Sequence, residues 1–179
     1  MVDEAGRNSI PSLLDEVKRC IYRGFRPNLH DLRVILARRT LIRSALRDEH
    51  LDAAVCERLM LVVTGVDGCR YCSSVHARQA LQVGIPLEQT DPLGAAMFDD
   101  SPTNEVPALL YAQHWAEADG NPDPDIRRRI RHRYGQERLA SIDAVLFMIR
   151  VGNLLGNTID HFFHHLSLGR WRTPRGGAG

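Results

Sequence analysis

Two cysteines and a histidine stand at helical spacing near the middle of the chain, in the order Cys69, Cys72 and His76. Thiol reactivity depends on the thiolate fraction, and a thiol at a helix N-terminus beside an imidazolium has a lowered pKa. The segment 65–68 just before them predicts a turn, so Cys69 is expected near the N-cap of a helix, at its exposed tip, with Cys72 in the first turn. His76 follows Cys72 by four residues and shares its face. This spacing is typical of a thiol redox site.

Glu57 belongs to the preceding predicted helix and joins this group if the two helices form an antiparallel hairpin. It stands seven residues before Thr64, and His76 stands seven residues after Cys69. At about 1.5 Å per residue, both side chains then lie roughly 10 Å from the turn. The neighbours of Glu57 at three- and four-residue spacing are apolar, so its carboxyl group is expected to be partly desolvated and able to carry a proton. The chain therefore encodes a candidate proton relay that ends in a dithiol.

The elements that must position these residues are all predicted to be helices. Apolar residues recur at three- and four-residue spacing, and no segment alternates as a strand would, which predicts an all-α fold. Gly84 with Pro86, and Gly120 with Pro122, provide helix stops. The last helix is apolar on all sides at 144–149, which predicts a central or interfacial position. We place the helices at 10–23, 29–47, 51–64, 69–83, 86–98, 104–119, 124–134 and 137–166.

The length of 179 residues predicts a single domain at 1–172 and a disordered tail at 173–179. The N-terminal residues are polar and carry both charge signs, unlike a signal peptide. No apolar run approaches the roughly twenty residues of a membrane span, and the formal net charge of +1 argues against a nucleic-acid footprint. We therefore expect a cytoplasmic protein with no membrane or nucleic-acid partner, whose cysteines do not form a disulfide framework.

Glu57, Cys69-x-x-Cys72 and His76, with eleven residues after the glutamate and three before the histidine, resemble the signature of the AhpD-like alkylhydroperoxidases. These enzymes lie within the carboxymuconolactone decarboxylase superfamily. The resemblance covers roughly residues 30–165 and extends downstream to 108–112 and to the helix through Arg150, Asn153 and Asn157.

The resemblance implies an AhpD-like all-α helical bundle that assembles as a homo-oligomer, commonly a trimer or hexamer. It implies reduction of a hydroperoxide substrate by a cysteine pair, with no cofactor and no metal. Cys72 would be the buried thiol that attacks the peroxide, and Cys69 the exposed thiol that closes the disulfide and meets a dithiol or lipoyl-type electron donor. Glu57 and His76 would move the proton. The best-known members have histidine where this chain has Tyr71, a departure that bears on the reductant and the rate.

Two other function classes remain open at this point. A lactone decarboxylase of the same superfamily works without a cysteine pair, so the intact pair argues against it. A non-catalytic helical oligomer would carry incidental or metal-binding thiols. A zinc site on Cys69, Cys72 and His76 is disfavoured because no fourth protein ligand is obvious nearby. A thioredoxin-like site is disfavoured because the motif lacks a βαβ context.

Further patterns are assigned structural roles. His161 and His165 share a helix face and could bind a metal, but histidines in a last turn more often complement the helix dipole. The basic segment 127–133 could bind an anion, but a solvated helix face offset by neighbouring aspartates is favoured. The residues expected in the core are Cys20, Cys56, Tyr111 and Trp115.

Overall fold

The computed structural model describes residues 21–22, 25–47 and 51–166, and this part of the chain is helical without strands. The predicted all-α class is therefore confirmed. A short 3-10 turn, Leu87–Thr90, lies between the fourth and fifth α-helices. The α-helices are α1 (Phe25–Ala37), α2 (Arg39–Ala45), α3 (Ala53–Asp67), α4 (Arg70–Gln82), α5 (Ala95–Asp99), α6 (Val106–Glu117), α7 (Pro124–Tyr134) and α8 (Gln136–Leu166).

Five of the predicted helices begin and end within three residues of the observed bounds. They correspond to α3, α4, α6, α7 and α8. Two predictions were wrong in detail. The predicted helix 29–47 begins earlier and is divided into α1 and α2 at Arg38. The predicted helix 86–98 is a 3-10 turn followed by the short α5, because Pro92 supplies no N–H for a continuing helix. The predicted helix 10–23 and the tail 173–179 lie outside the described residues, except for the non-helical positions 21–22.

Helix α3 lies at the centre of the fold and packs against α4, α6 and α8. Its apolar residues face in every direction, and Leu59, Leu61 and Val62 are fully buried. Each buried side chain of this size stabilises the fold by about 1.5–3 kcal/mol. The core that surrounds α3 comes largely from α8, so the predicted central position of the last helix is confirmed. The α8 residues that are fully buried in this core are Leu139, Ile142, Val145 and Leu146.

Helix α8 is also long and apolar enough, over Gln136–Phe163, to meet the length and composition of a membrane span. This differs from the expectation that no such segment exists. In its most apolar window, 56% of the segment is buried inside the protein. The core helix of a globular fold meets the same criteria, so this feature by itself is weak evidence of a membrane partner.

The turn between α3 and α4 fixes where the two helices meet. Gly68 adopts a left-handed conformation with φ of 67°, which a glycine reaches without the steric cost of a Cβ atom. The N–H of Cys69 donates to the carbonyl of Thr64 at 3.3 Å, and the N–H of Gly68 to that of Gly65 at 3.3 Å. This pair of bonds is a Schellman motif, which satisfies the last carbonyls of α3 and reverses the chain.

Candidate functional site

Cys69 is the N-cap residue of α4, as its position after the turn predicts. Its backbone is extended, with φ of −85° and ψ of 95°, and its Sγ accepts a hydrogen bond from the N–H of Cys72 at 3.4 Å. Serine, threonine, aspartate and asparagine usually supply this acceptor. Here a sulfur supplies it, so the chemical state of Cys69 and the start of α4 are coupled.

The two thiols are in direct contact. Both are free cysteines, and their Sγ atoms lie 2.7 Å apart, in hydrogen-bond contact. Cys69 is 2% exposed and Cys72 is 9% exposed. The prediction that Cys72 is buried is confirmed, whereas the prediction that Cys69 lies at an exposed tip was wrong. The reason is that α8 passes over the turn, and Gly156 lies directly against the Cys69 sulfur.

The hydrogen bonds at the dithiol shift the pKa values of the two thiols in opposite directions. The S–H of Cys72 and the backbone N–H groups donated to Cys69 favour its thiolate and lower its pKa to about 7, although burial and the nearby Asp67 charge oppose the shift. The pKa of Cys72 is raised, first because its proton is donated to Cys69 and second because of burial. Ionisation of the pair is therefore favoured at Cys69 over Cys72.

Glu57 and His76 form the predicted pair across the helix hairpin. The Nδ1 atom of His76 lies 2.9 Å from the Oε2 atom of Glu57. Their side chains are 14% and 13% exposed respectively, so the contact is mostly shielded from water. With Glu57 ionised, Nδ1 carries the proton of this hydrogen bond, and Nε2 is the ring nitrogen left for exchange with a substrate. The two helices therefore bring together the carboxyl and imidazole groups, which the sequence spacing predicted to lie at the same distance from the turn.

A buried polar group, which we call the Asp67 clamp, ties the turn to α8. It consists of Asp67, Arg150, Asn153 and Asn157. The fully buried Asp67 carboxylate accepts from Nη1 of Arg150 at 3.1 Å and from Nδ2 of Asn153 at 3.0 Å. Its backbone carbonyl accepts from Nδ2 of Asn157 at 2.8 Å. The clamp therefore holds α8 against the turn that carries the dithiol.

Sequence reasoning found only part of this clamp. The three α8 residues were noted through the family resemblance, whereas Asp67 was assigned only to the turn. A signal was present, because Asp67 is a lone acidic residue at the end of an otherwise apolar segment, two residues before Cys69. A buried carboxylate there requires donors from another element. Its pairing with a helix eighty-three residues away could not be read from local spacing.

Gly156 completes the enclosure of the dithiol. A Cβ atom built on it would lie 3.1 Å from the Sγ of Cys69 and 3.6 Å from that of Cys72. Ordinary carbon contacts in proteins are about 3.5–4.0 Å. The backbone of α8 therefore approaches the sulfurs closely at this one position, which the sequence analysis did not single out.

The alternative metal sites have no complete ligand set in the part of the chain that the structure describes. Within those residues, no group of three or more His, Cys, Asp or Glu side chains could hold a metal ion. The zinc alternative on Cys69, Cys72 and His76 therefore lacks the convergence that it needs. His161 is exposed, and the side chain of His165 lies outside the described residues.

The basic segment of α7 is partly neutralised. Arg127 donates to Asp143 at 2.6 Å, and Arg128 pairs with Asp125 at 2.8 Å. These pairs agree with the interpretation as a charged surface face. The expected core positions of Cys56, Tyr111 and Trp115 are confirmed, and Cys20 lies outside the described residues.

Comparison with known proteins gives one match. The model of the carboxymuconolactone decarboxylase family matches residues 35–118. This segment runs from the end of α1 to just past α6 and contains Glu57, Cys69, Cys72 and His76. It stops before α8, which carries Gly156 and most of the Asp67 clamp. No curated protein and no solved structure matches the chain.

Proposed function

Because residues 35–118 belong to the carboxymuconolactone decarboxylase family, we propose that this protein is a thiol-dependent hydroperoxide reductase of the AhpD-like type. Cys69 and Cys72 cycle between dithiol and disulfide, and the pair Glu57 and His76 moves the proton. The observation that carries the proposal is the 2.7 Å contact between the two sulfurs. Two free thiols that already touch can close a disulfide with little rearrangement.

The first step is attack on the peroxide by Cys72, the more exposed of the two thiols. The reacting species is the minor form in which the proton shared by the two sulfurs lies on Cys69 and the thiolate on Cys72. That sulfur attacks the terminal oxygen of the hydroperoxide, the O–O bond breaks, and Cys72 becomes a sulfenic acid. The departing alkoxide takes a proton from the imidazolium of His76, which Glu57 orients and stabilises, and leaves as the alcohol.

The second step is closure of the disulfide. The sulfur of Cys69 attacks the sulfenic sulfur of Cys72, and the hydroxyl group leaves with the proton of the Cys69 thiol as water. One hydroperoxide is thereby reduced to an alcohol and water, and two thiols are oxidised. The balance requires no cofactor or metal, but it requires a dithiol donor to restore the pair.

Reduction is assigned to an external dithiol, of the lipoyl type or similar. Because Cys69 is the less accessible sulfur, the donor is expected to attack Cys72 and to release Cys69 as the thiolate, whose lowered pKa makes it the better leaving group. This reverses the contact with the donor that the resemblance alone implied. Tyr71 stands between the two cysteines in the sequence and is 74% exposed, so it is available to contact such a donor.

The proposal includes assembly and compartment. Apolar side chains near the end of α8 are exposed and support a homo-oligomer, with a trimer or hexamer as the expected size: Ile159, Phe162, Phe163 and Leu166. A dithiol that must be restored by a small dithiol donor requires a reducing compartment, so we assign the cytoplasm. Size-exclusion chromatography with light scattering would measure the subunit number.

The competing activity in this family is lactone decarboxylation. The two activities can be distinguished by the fate of the thiols, because the decarboxylase reaction does not use a cysteine pair. The deciding experiment titrates free thiols before and after one equivalent of hydroperoxide and again after addition of dihydrolipoamide. Loss of two thiols and their recovery supports the peroxidase. An unchanged thiol count, with alcohol not produced, would refute it.

A further inference from the structure

We propose that Gly156 is a positioning residue of the dithiol, and that the absence of a side chain there holds Cys69 in its reactive geometry. The inference deepens the proposed redox cycle and rests on it for its biological meaning. It predicts that a glycine on α8 controls thiol reactivity, and this effect can be measured without any peroxide. Three contacts carry the argument: the approach of α8, the clamp that holds it, and the bonds that hold the sulfur.

The approach of α8 leaves less than a methyl group of space. A Cβ atom at Gly156 would lie 3.1 Å from the Sγ of Cys69, well inside the usual carbon contact distance of about 3.5–4.0 Å. The conflict is with the buried Sγ of Cys69, and relieving it requires a displacement of a few tenths of an ångström. Either α8 or the sulfur must therefore move when Gly156 acquires a side chain.

Helix α8 is not free to move away. The next residue, Asn157, donates to the backbone carbonyl of Asp67 at 2.8 Å, and Asn153 donates to its carboxylate at 3.0 Å. Both bonds end on the residue two positions before Cys69. The clamp therefore fixes the distance between α8 and the turn on either side of Gly156.

The sulfur of Cys69 must then absorb the displacement. It is held by a hydrogen bond from the N–H of Cys72 at 3.4 Å and by a hydrogen bond shared with the Sγ of Cys72 at 2.7 Å. These are the bonds that favour the Cys69 thiolate. Pushing the sulfur away from α8 lengthens or bends them, so less of the thiolate forms at neutral pH and the disulfide closes from a poorer geometry.

The test compares Gly156→Ala with Gly152→Ala in the full-length protein. Gly152 is exposed one turn earlier on α8, and a Cβ atom there meets nothing within 4 Å. The rate of Cys69 alkylation by iodoacetamide is followed against pH and resolved by peptide mass, and the dithiol potential is measured in glutathione buffers. We expect Gly156→Ala to shift the midpoint of alkylation upwards and to slow alkylation at pH 7 by about fivefold, the fall in thiolate fraction that a rise of about one pKa unit from near 7 produces. Gly152→Ala should match the wild type.

Loosening the clamp provides a second test that keeps its meaning if Gly156→Ala alone fails to fold. Asn157→Ala removes one of the bonds that hold α8 down, so α8 can shift away from the added methyl group and the double variant should regain part of the wild-type profile. A Gly156→Ala profile equal to that of wild type would overturn the proposal, and so would a double variant that regains nothing. Absence of peroxide turnover in the wild type would instead refute the proposed function and leave these alkylation results valid.

Discussion

The Sγ of Cys72 lies 2.7 Å from the Sγ of Cys69, so the two thiols share a hydrogen bond. Two thiols in such contact titrate as one system, and the apparent pKa values belong to the pair. The lower of them is assigned to Cys69, because hydrogen bonds from the thiol and the backbone N–H of Cys72 favour its thiolate and lower its pKa. The ionisation of the site is therefore controlled by what stands at position 72.

Replacing Cys72 should change the ionisation of Cys69 according to whether a donor remains. Cys72→Ala removes the S–H donor, the main cause that lowers the Cys69 pKa, so that value should rise above about 7. Cys72→Ser keeps a hydroxyl donor in the same place and should leave the midpoint nearer the wild-type value. The pH dependence of Cys69 alkylation measures both. Equal midpoints in the two variants would show that the side-chain donor has no part in the shift.

Glu57→Gln should reduce peroxide turnover because the amide no longer stabilises the imidazolium of His76 at 2.9 Å. General acid–base groups contribute about 10²–10⁴-fold to rates, so we expect a loss in the lower half of that range. Stopped-flow measurement of alcohol formation gives the rate. Glu88→Gln, on the exposed 3-10 turn, is the matched control and should retain full activity. A Glu57 variant as active as this control would leave Glu57 with a purely structural role.

Asp67→Asn should destabilise the protein and lower the thiol pKa. The fully buried Asp67 faces Arg150, and removing one partner of a buried ion pair costs about 3 kcal/mol. The charge of Asp67 raises the pKa of Cys69, so its removal should move the alkylation midpoint below the wild-type value. Urea unfolding and alkylation profiles measure the two effects.

The control for that change is Asp119→Asn, because Asp119 binds the same Arg150 from the surface at 2.8 Å and its side chain is 82% exposed. Exposed ion pairs contribute at most about 1 kcal/mol. If both variants lost the same stability, the buried position of Asp67 would be energetically unimportant.

Local spacing was sufficient to predict most of the fold and half of the site. Glu57 and His76 were placed at one level because two helices and a glycine turn fix distances along the axis with few free angles. The interruption of the helix at Pro92 shows the limit of periodicity. The apolar spacing continues through 86–98, but the helical backbone cannot continue through the proline. The split at Arg38 had no comparable signal.

The burial of Cys69 could not be predicted from the hairpin alone. Whether a helix tip is exposed depends on what crosses it, and here that is α8, whose contact at Gly156 lies eighty-seven residues further along the chain. A glycine leaves no pattern in an apolar helix that would indicate a close approach. The partner of Asp67 was hidden for the same reason, because long-range pairing is determined by packing and not by spacing.

The role of Cys69 as the N-cap of α4 links electron transfer to helix formation. A thiolate is a strong acceptor for the Cys72 N–H, whereas a disulfide sulfur is a weak one, so oxidation removes most of the cap. A lost N-cap costs about 1 kcal/mol, and for a two-electron couple that amounts to about 20 mV towards a more oxidising potential. In the proposed redox cycle, the first turn of α4 therefore biases the equilibrium between dithiol and disulfide towards the reduced protein.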